Sequence, residues 1–137
     1  MSEDIHSPGL ANGRKTIIYA CSGCSDAGEL ADQVARTASK RGLAEMSCLA
    51  GIGGRVKHLL KTAERAENIV VVDGCPINCA AKTLRLAGFD QFQHLQLHKL
   101  GFRKGSCPVD TAKIDRGVEA VSQLLARQDP AEELQIV

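Results

Sequence analysis

Two stretches of this chain, Lys15–Ala20 and Asn68–Asp73, are apolar at nearly every position, whereas two others, Glu45–Ala50 and Phe92–His98, alternate apolar with polar residues. Unbroken apolar runs with β-branched residues are what strands covered on both faces require, and alternation suits strands nearer an edge. Between these runs the apolar spacing changes to that of helices. Leu30, Val34 and Ala38 mark a helix from Asp26 to Arg41, with Ser25 or Asp26 able to cap its start and Gly42 its stop. Val56, Leu59, Leu60 and Ala63 mark a second helix after a loop at Gly51–Gly54. Ile77, Ala80, Leu84 and Ala87 mark a third, with Pro76 suited to its first position and Gly88 to its end. Ile114, Val118, Val121 and Leu125 mark the last, from Asp110 or Thr111 to Ala126.

Strand–helix alternation with long crossovers implies a parallel sheet with right-handed connections. The expected fold is α/β in three layers: a four-stranded parallel sheet in the order 2-1-3-4, with helices on both faces, Rossmann/flavodoxin-like. That order puts the two fully apolar strands at the centre. The domain is expected over residues 14–128, between an N-terminal tail at 1–13 and a C-terminal tail at 129–137. A chain of 137 residues can bury roughly two-thirds of its unfolded surface, so its core needs no metal or disulfide.

The six cysteines then stand out. Cys21, Cys24, Cys48, Cys75, Cys79 and Cys107 all fall at or just beyond the end of an apolar run. In a parallel sheet those ends share one edge, and the switch between the first and third strands is where such sheets place ligands. The loops at that switch carry Cys21-x-x-Cys24 and Cys75-x-x-x-Cys79. Tetrahedral zinc commonly takes four thiolates from two short pairs on separate loops. Positions i and i+4 would put Cys75 and Cys79 on one helix face, with Cys75 at the helix N-terminus. Small buried hydrophobes are the plain alternative reading of free cysteines.

The run Val72-Asp73-Gly74-Cys75-Pro76-Ile77-Asn78-Cys79-Ala80, together with Cys21-Ser22-Gly23-Cys24 and the following Gly28-Glu29-Leu30-Ala31, resembles the DGC domain family. Cys48–Gly54 and Gly101–Gly105 are similar to that family as well. The family is regarded as zinc-binding on account of four potential chelating cysteines. The resemblance implies that Cys21, Cys24, Cys75 and Cys79 are those ligands, and it implies no reaction.

Other candidates are read beside their plainer roles. Cys48 is expected to point inward from an edge strand, with a ligand role as the alternative. Cys107, ahead of a helix start, is a candidate fifth ligand or an acidified, reactive thiol. Asp73 either orients a ligating thiolate or accepts amides in the tight turn. His98, ending a strand at the same edge, is a candidate ligand or acid/base, or else belongs with His94 and Gln96 to a solvated strand face. Gly51–Gly54 lacks the Lys and Ser/Thr of a phosphate loop and reads as an ordinary loop. Cys79-x₅-Arg85 has the spacing of a phosphatase loop, but its intervening residues read as helix.

Composition narrows the classes further. A net charge of +1 gives no case for nucleic acid or anionic membrane as partner, and one Tyr, three Phe and no Trp give no stacking platform. No apolar run approaches the roughly 20 residues of a membrane span, and the polar N-terminus does not read as a secretory signal. The expected location is the cytoplasm, where thiols stay reduced and an even cysteine count points to metal or redox chemistry. The expected cofactor is Zn²⁺ in a structural or regulatory, non-catalytic role. The alternative is an iron–sulfur cluster or dithiol redox exchange on the same cysteines, although the sheet lacks the antiparallel strands of a thioredoxin-like fold.

Overall fold

The computed structural model describes residues 15–127; both expected tails lie outside the described residues. The chain runs β1 (Thr16–Ala20), α1 (Asp26–Lys40), β2 (Glu45–Met46), α2 (Leu49–Gly53), α3 (Lys57–Arg65), β3 (Asn68–Asp73), α4 (Cys79–Leu86), β4 (Gln93–Gln96), a 3-10 turn (Leu97–Leu100) and α5 (Thr111–Arg127). The strands form one parallel four-stranded sheet in the order β2-β1-β3-β4, as the apolar patterning implies.

Successive side chains of a strand point to opposite faces, and the core divides accordingly. Ile18, Ala20, Val70 and Val72 meet α1 and α5 on one face. Ile17, Tyr19, Ile69 and Val71 meet Ile52 of α2, Ala63 of α3 and Ala80, Ala81 and Leu84 of α4 on the other. The central strands are fully buried because helices cover both sides, which gives the three layers. On the first face α1 and α5 approach closely, since a Cβ on Gly117 would come 2.4 Å from Val34 Cγ2.

Several local expectations are corrected. The second strand does not extend to Ala50. It stops at Met46, and the segment Leu49–Gly53, expected in part as loop, is a short helix whose Ile52 enters the core. The next helix starts at Lys57, leaving Val56 41% exposed ahead of it. The helix after β3 starts at Cys79 and not at Pro76, so Ile77 lies outside it at 51% exposure. The fourth strand ends at Gln96, and His98 belongs to the 3-10 turn. Its polar residues are not a solvated face: Gln93 and His94 are buried and Gln96 nearly so. Gln93 Nε2 donates to the Leu124 carbonyl (2.5 Å) and its Oε1 accepts from Asn68 (2.9 Å). Buried amides are tolerated where such partners exist.

Candidate functional site

The carboxyl ends of β1 and β3 lie side by side, Ala20 opposite Val72, and the Cys21 amide extends the ladder by one bond to the Val72 carbonyl (3.1 Å). Beyond that point the two chains diverge into the cysteine-bearing loops, so the crevice forms where a parallel sheet reverses its winding. Glycines let the backbones come together there. A Cβ on Gly74 would sit 2.2 Å from the Ala27 carbonyl oxygen, and one on Gly28 would sit 2.6 Å from the Gly23 amide. The Cys21–Cys24 loop, the first turn of α1 and the turn after β3 are thus stacked backbone on backbone. Ser25 caps α1 by accepting from the Gly28 amide (3.1 Å), which fixes the helix end against which both loops rest.

Within this packing Cys21 and Cys75 lie on adjoining loops. Both are half-buried and rest on the same core cluster, and the Gly74 amide donates to Cys21 Sγ (3.4 Å). Burial pushes the Cys21 thiol up; the Gly74 and Gly23 amides oppose this, while negative charge on Asp73 and Cys75 adds to it. Cys24, on the first loop, and Cys79, at the start of α4, are exposed. Cys79, and not Cys75, occupies the first position of α4, behind Asn78 in the left-handed conformation (φ 60°). Cys75 and Cys79 therefore do not share a helix face. Among the described residues no three His, Cys, Asp or Glu side chains stand together in metal-holding geometry. The donors suit a thiophilic metal in kind.

Asp73 has a definite task. Its carboxylate accepts from the amides of Ala80 (2.8 Å) and Ala81 (3.1 Å), capping α4 from the preceding strand, and its Oδ2 meets His94 Nε2 at 2.8 Å. The acceptor role of the turn expectation is what the structure displays, directed at the helix start. Asp73 and His94 are both buried. His94 also stacks edge-on to Phe92 at 5.8 Å, and Gln96 donates to Asn78 (3.1 Å). Together these side chains fasten the loop that carries Cys75 and Cys79.

The remaining candidates separate from this centre. Cys48 is exposed, not inward, and its Sγ accepts from the Gly51 amide (3.3 Å) as the cap of α2. Cys107 is buried among the residues that pack α1 against α5. Burial and then the negative charge of Asp26 push its thiol up, opposite to the acidified thiol its place ahead of a helix suggested. His98 is half-buried in the 3-10 turn, outside the strand it was expected to end.

Sequence reasoning offered Asp26 only as a helix start or cap, and the structure gives it a second task. Its carboxylate accepts from Gly105 (2.7 Å) and Cys107 (3.0 Å), binding the loop before α5 to the start of α1; these amides hold its carboxyl below the usual value. A capping signal at Ser25-Asp26 is visible in the sequence, but a partner some eighty residues away is not.

Residues 17–121 match the DGC domain. The Anaerobic and virulence modulator AnvM of Pseudomonas aeruginosa is 40% identical over 88 residues, 64% of this chain and 67% of that protein. No solved structure matches the chain.

Proposed function

We propose, for a chain that belongs to the DGC domain family, that the carboxyl edge of its sheet binds Zn²⁺ through the thiolates of Cys21, Cys24, Cys75 and Cys79. The observation that carries this reading is the side-by-side placement of the two cysteine-bearing segments at the β1/β3 crevice, where the Gly74 amide donates to Cys21 Sγ, with Cys24 exposed on the first loop and Cys79 exposed at the start of α4. A zinc ion bound there supplies charge neutralisation for four thiolates and a cross-link between the two loops. Cys21 and Cys75 are the half-buried members of the set. Cys24 and Cys79 are the halves that close on the ion, which makes loop order dependent on metal.

An all-thiolate site with every position filled is suited to structure or regulation and not to hydrolysis. The name of the Pseudomonas aeruginosa relative, a modulator, agrees with a regulatory role. Such a centre belongs in a reducing compartment such as the cytoplasm; no helix among the described residues is long and apolar enough to cross a membrane. Zinc titration into the reduced, metal-free full chain tests the reading. Uptake of one zinc per chain, with Cys24 and Cys79 becoming protected from alkylation, is expected; uptake without that protection refutes the assigned ligand set.

The placement of Cys21 and Cys75 on adjoining loops beside one core cluster favours dithiol exchange between them as the second reading, with an iron–sulfur cluster on the same edge as its relative in redox chemistry. Visible absorbance separates the cluster from zinc.

A further inference from the structure

Three residues other than glycine have a left-handed backbone among the described residues: Ser22 (φ 50°), Arg55 (φ 59°) and Asn78 (φ 60°). Side chains with a Cβ adopt that conformation at a cost, and such residues gather where a fold has a task for them. The task of Arg55 is architectural. It turns the chain from α2 into α3, and its guanidinium donates to the carbonyls of Ile52 (2.9 Å), Gly53 (3.3 Å) and Leu86 (3.1 Å). Ser22 and Asn78 lie instead in the two cysteine-bearing segments. Each stands between a half-buried cysteine and an exposed one, Ser22 between Cys21 and Cys24, Asn78 between Cys75 and Cys79. The backbone at these two residues therefore decides where the exposed thiol stands relative to the half-buried one.

In each segment the hold on that backbone comes from a regular element outside it. Ser22 Oγ donates to Asp32 Oδ1 on the second turn of α1 (2.8 Å), and Arg36 Nε fixes the other oxygen of that carboxylate (2.6 Å). The remaining contact of Ser22 Oγ, to the Ala20 carbonyl, is long at 3.4 Å. Asn78 Oδ1 accepts from Gln96 Nε2 at the end of β4 (3.1 Å). Gln96 keeps that bond at a cost, since it is 9% exposed and its Oε1 is buried with no hydrogen-bond partner. A leucine there would spare the core an unpaired acceptor and would lose the hold on Asn78.

We propose that Asp32 and Gln96 are positioning residues of the cysteine site, setting its affinity for Zn²⁺ through Ser22 and Asn78 and not through a bond to a thiol. The proposal rests on the zinc reading. Four sulfurs must converge to about 2.3 Å from one ion. A loop already turned the right way gives up less freedom when the ion arrives, so affinity rises with no added ligand. Side chains that orient metal ligands from outside are commonly worth roughly 10–100-fold in metal affinity. Acting through the residue next to a cysteine, each of these two is worth the lower figure, about tenfold.

Zinc affinity of the reduced full chain, measured by competition with a chromophoric chelator, tests this beside a urea melt of each metal-free protein. Asp32→Ala and Gln96→Leu should each weaken zinc binding about tenfold. Asp32→Asn keeps an acceptor for Ser22, and Arg36→Ala leaves the Ser22 bond in place, so both should stay within about twofold of wild type. The metal-free midpoints should not follow the affinities. Asp32→Ala loses two bonds at the surface, and Gln96→Leu removes a buried unpaired acceptor, so each midpoint should stay within about 0.5 M of wild type or rise. Wild-type zinc affinity in either Asp32→Ala or Gln96→Leu would overturn the proposal and leave the zinc reading standing. Metal-free stability falling in step with affinity would also overturn it, by making the two residues structural only. A wild-type chain that takes up no zinc would overturn both readings together.

Discussion

Gly74→Ala is the substitution through which packing and site are most tightly linked. The added Cβ would stand 2.2 Å from the Ala27 carbonyl oxygen and 2.5 Å from its carbonyl carbon, where ordinary contact begins at 3.4 Å. The obstacle is backbone in the first turn of α1, so no side chain can rotate away. That turn is held by the Ser25 cap and by Gly28 lying against Gly23. Overpacking of this kind costs about 1–3 kcal/mol, and an immovable neighbour puts this case at the upper end, about 3. Loss of glycine's freedom in the unfolded chain returns about 0.4–1 kcal/mol. The net loss is about 2 kcal/mol, which for a urea slope of about 1–2 kcal/mol per M lowers the midpoint by about 1–2 M. Gly53→Ala is the matched control, since its Cβ meets only Thr83 Cγ2 at 3.7 Å and should leave the midpoint within about 0.5 M. Both proteins are unfolded in urea, reduced and metal-free, with far-ultraviolet circular dichroism as the signal. The same displacement moves the Gly74 amide away from Cys21 Sγ, so Gly74→Ala should also weaken zinc retention. A Gly74→Ala midpoint equal to that of Gly53→Ala would refute the claim that the two loops are held by backbone contact.

Asp73→Ala strands the Ala80 and Ala81 amides in a buried place and should cost about 2–4 kcal/mol by denaturant melt, whereas Asp73→Asn keeps an acceptor and should cost less. Alkylation of the native, metal-free protein should label Cys24, Cys48 and Cys79 first and Cys107 last, since Cys107 is 1% exposed and its thiol is pushed up. Early labelling of Cys107 under native conditions would contradict its placement in the core. The depressed Asp26 carboxyl makes its contribution fully available above its unfolded value of 3.8, and that contribution is lost as pH falls through the lower folded value. Hydrogen exchange at Gly105 and Cys107 should therefore accelerate in acid, relative to a core amide such as Val71, and Asp26→Asn should remove that extra pH dependence.

The sheet order was legible because burial on two faces leaves its mark on each strand's own residues, and Ile17–Ala20 and Ile69–Val72 carry no polar position. α1 and α5 were legible for the same reason, their apolar stripes being long enough to fix a period. Short elements were not. β2 has two residues, and Cys48 caps a helix that local alternation continued as strand. β4 misled because its polar residues are buried by pairing across the chain: His94 with Asp73 and Gln93 with Leu124. Nothing in Phe92–His98 alone distinguishes a polar residue with a buried partner from one in water. The start of α4 moved from Pro76 to Cys79 because its cap is the Asp73 carboxylate, supplied from β3 across the turn. The common edge of the cysteines followed from strand ends. How the cysteine-bearing loops pack depends on close backbone approach at Gly28 and Gly74, and the sequence shows only that glycines are there.

The most direct test of the metal reading is elemental analysis of the full chain purified under reducing, anaerobic conditions, with an absorption spectrum and a thiol count on the same sample. The account predicts about one zinc per chain, no visible absorbance, and loss of the metal in a Cys21→Ser/Cys75→Ser variant that still folds by circular dichroism. A metal-free protein that refuses added zinc, or iron with visible absorbance in its place, would contradict it.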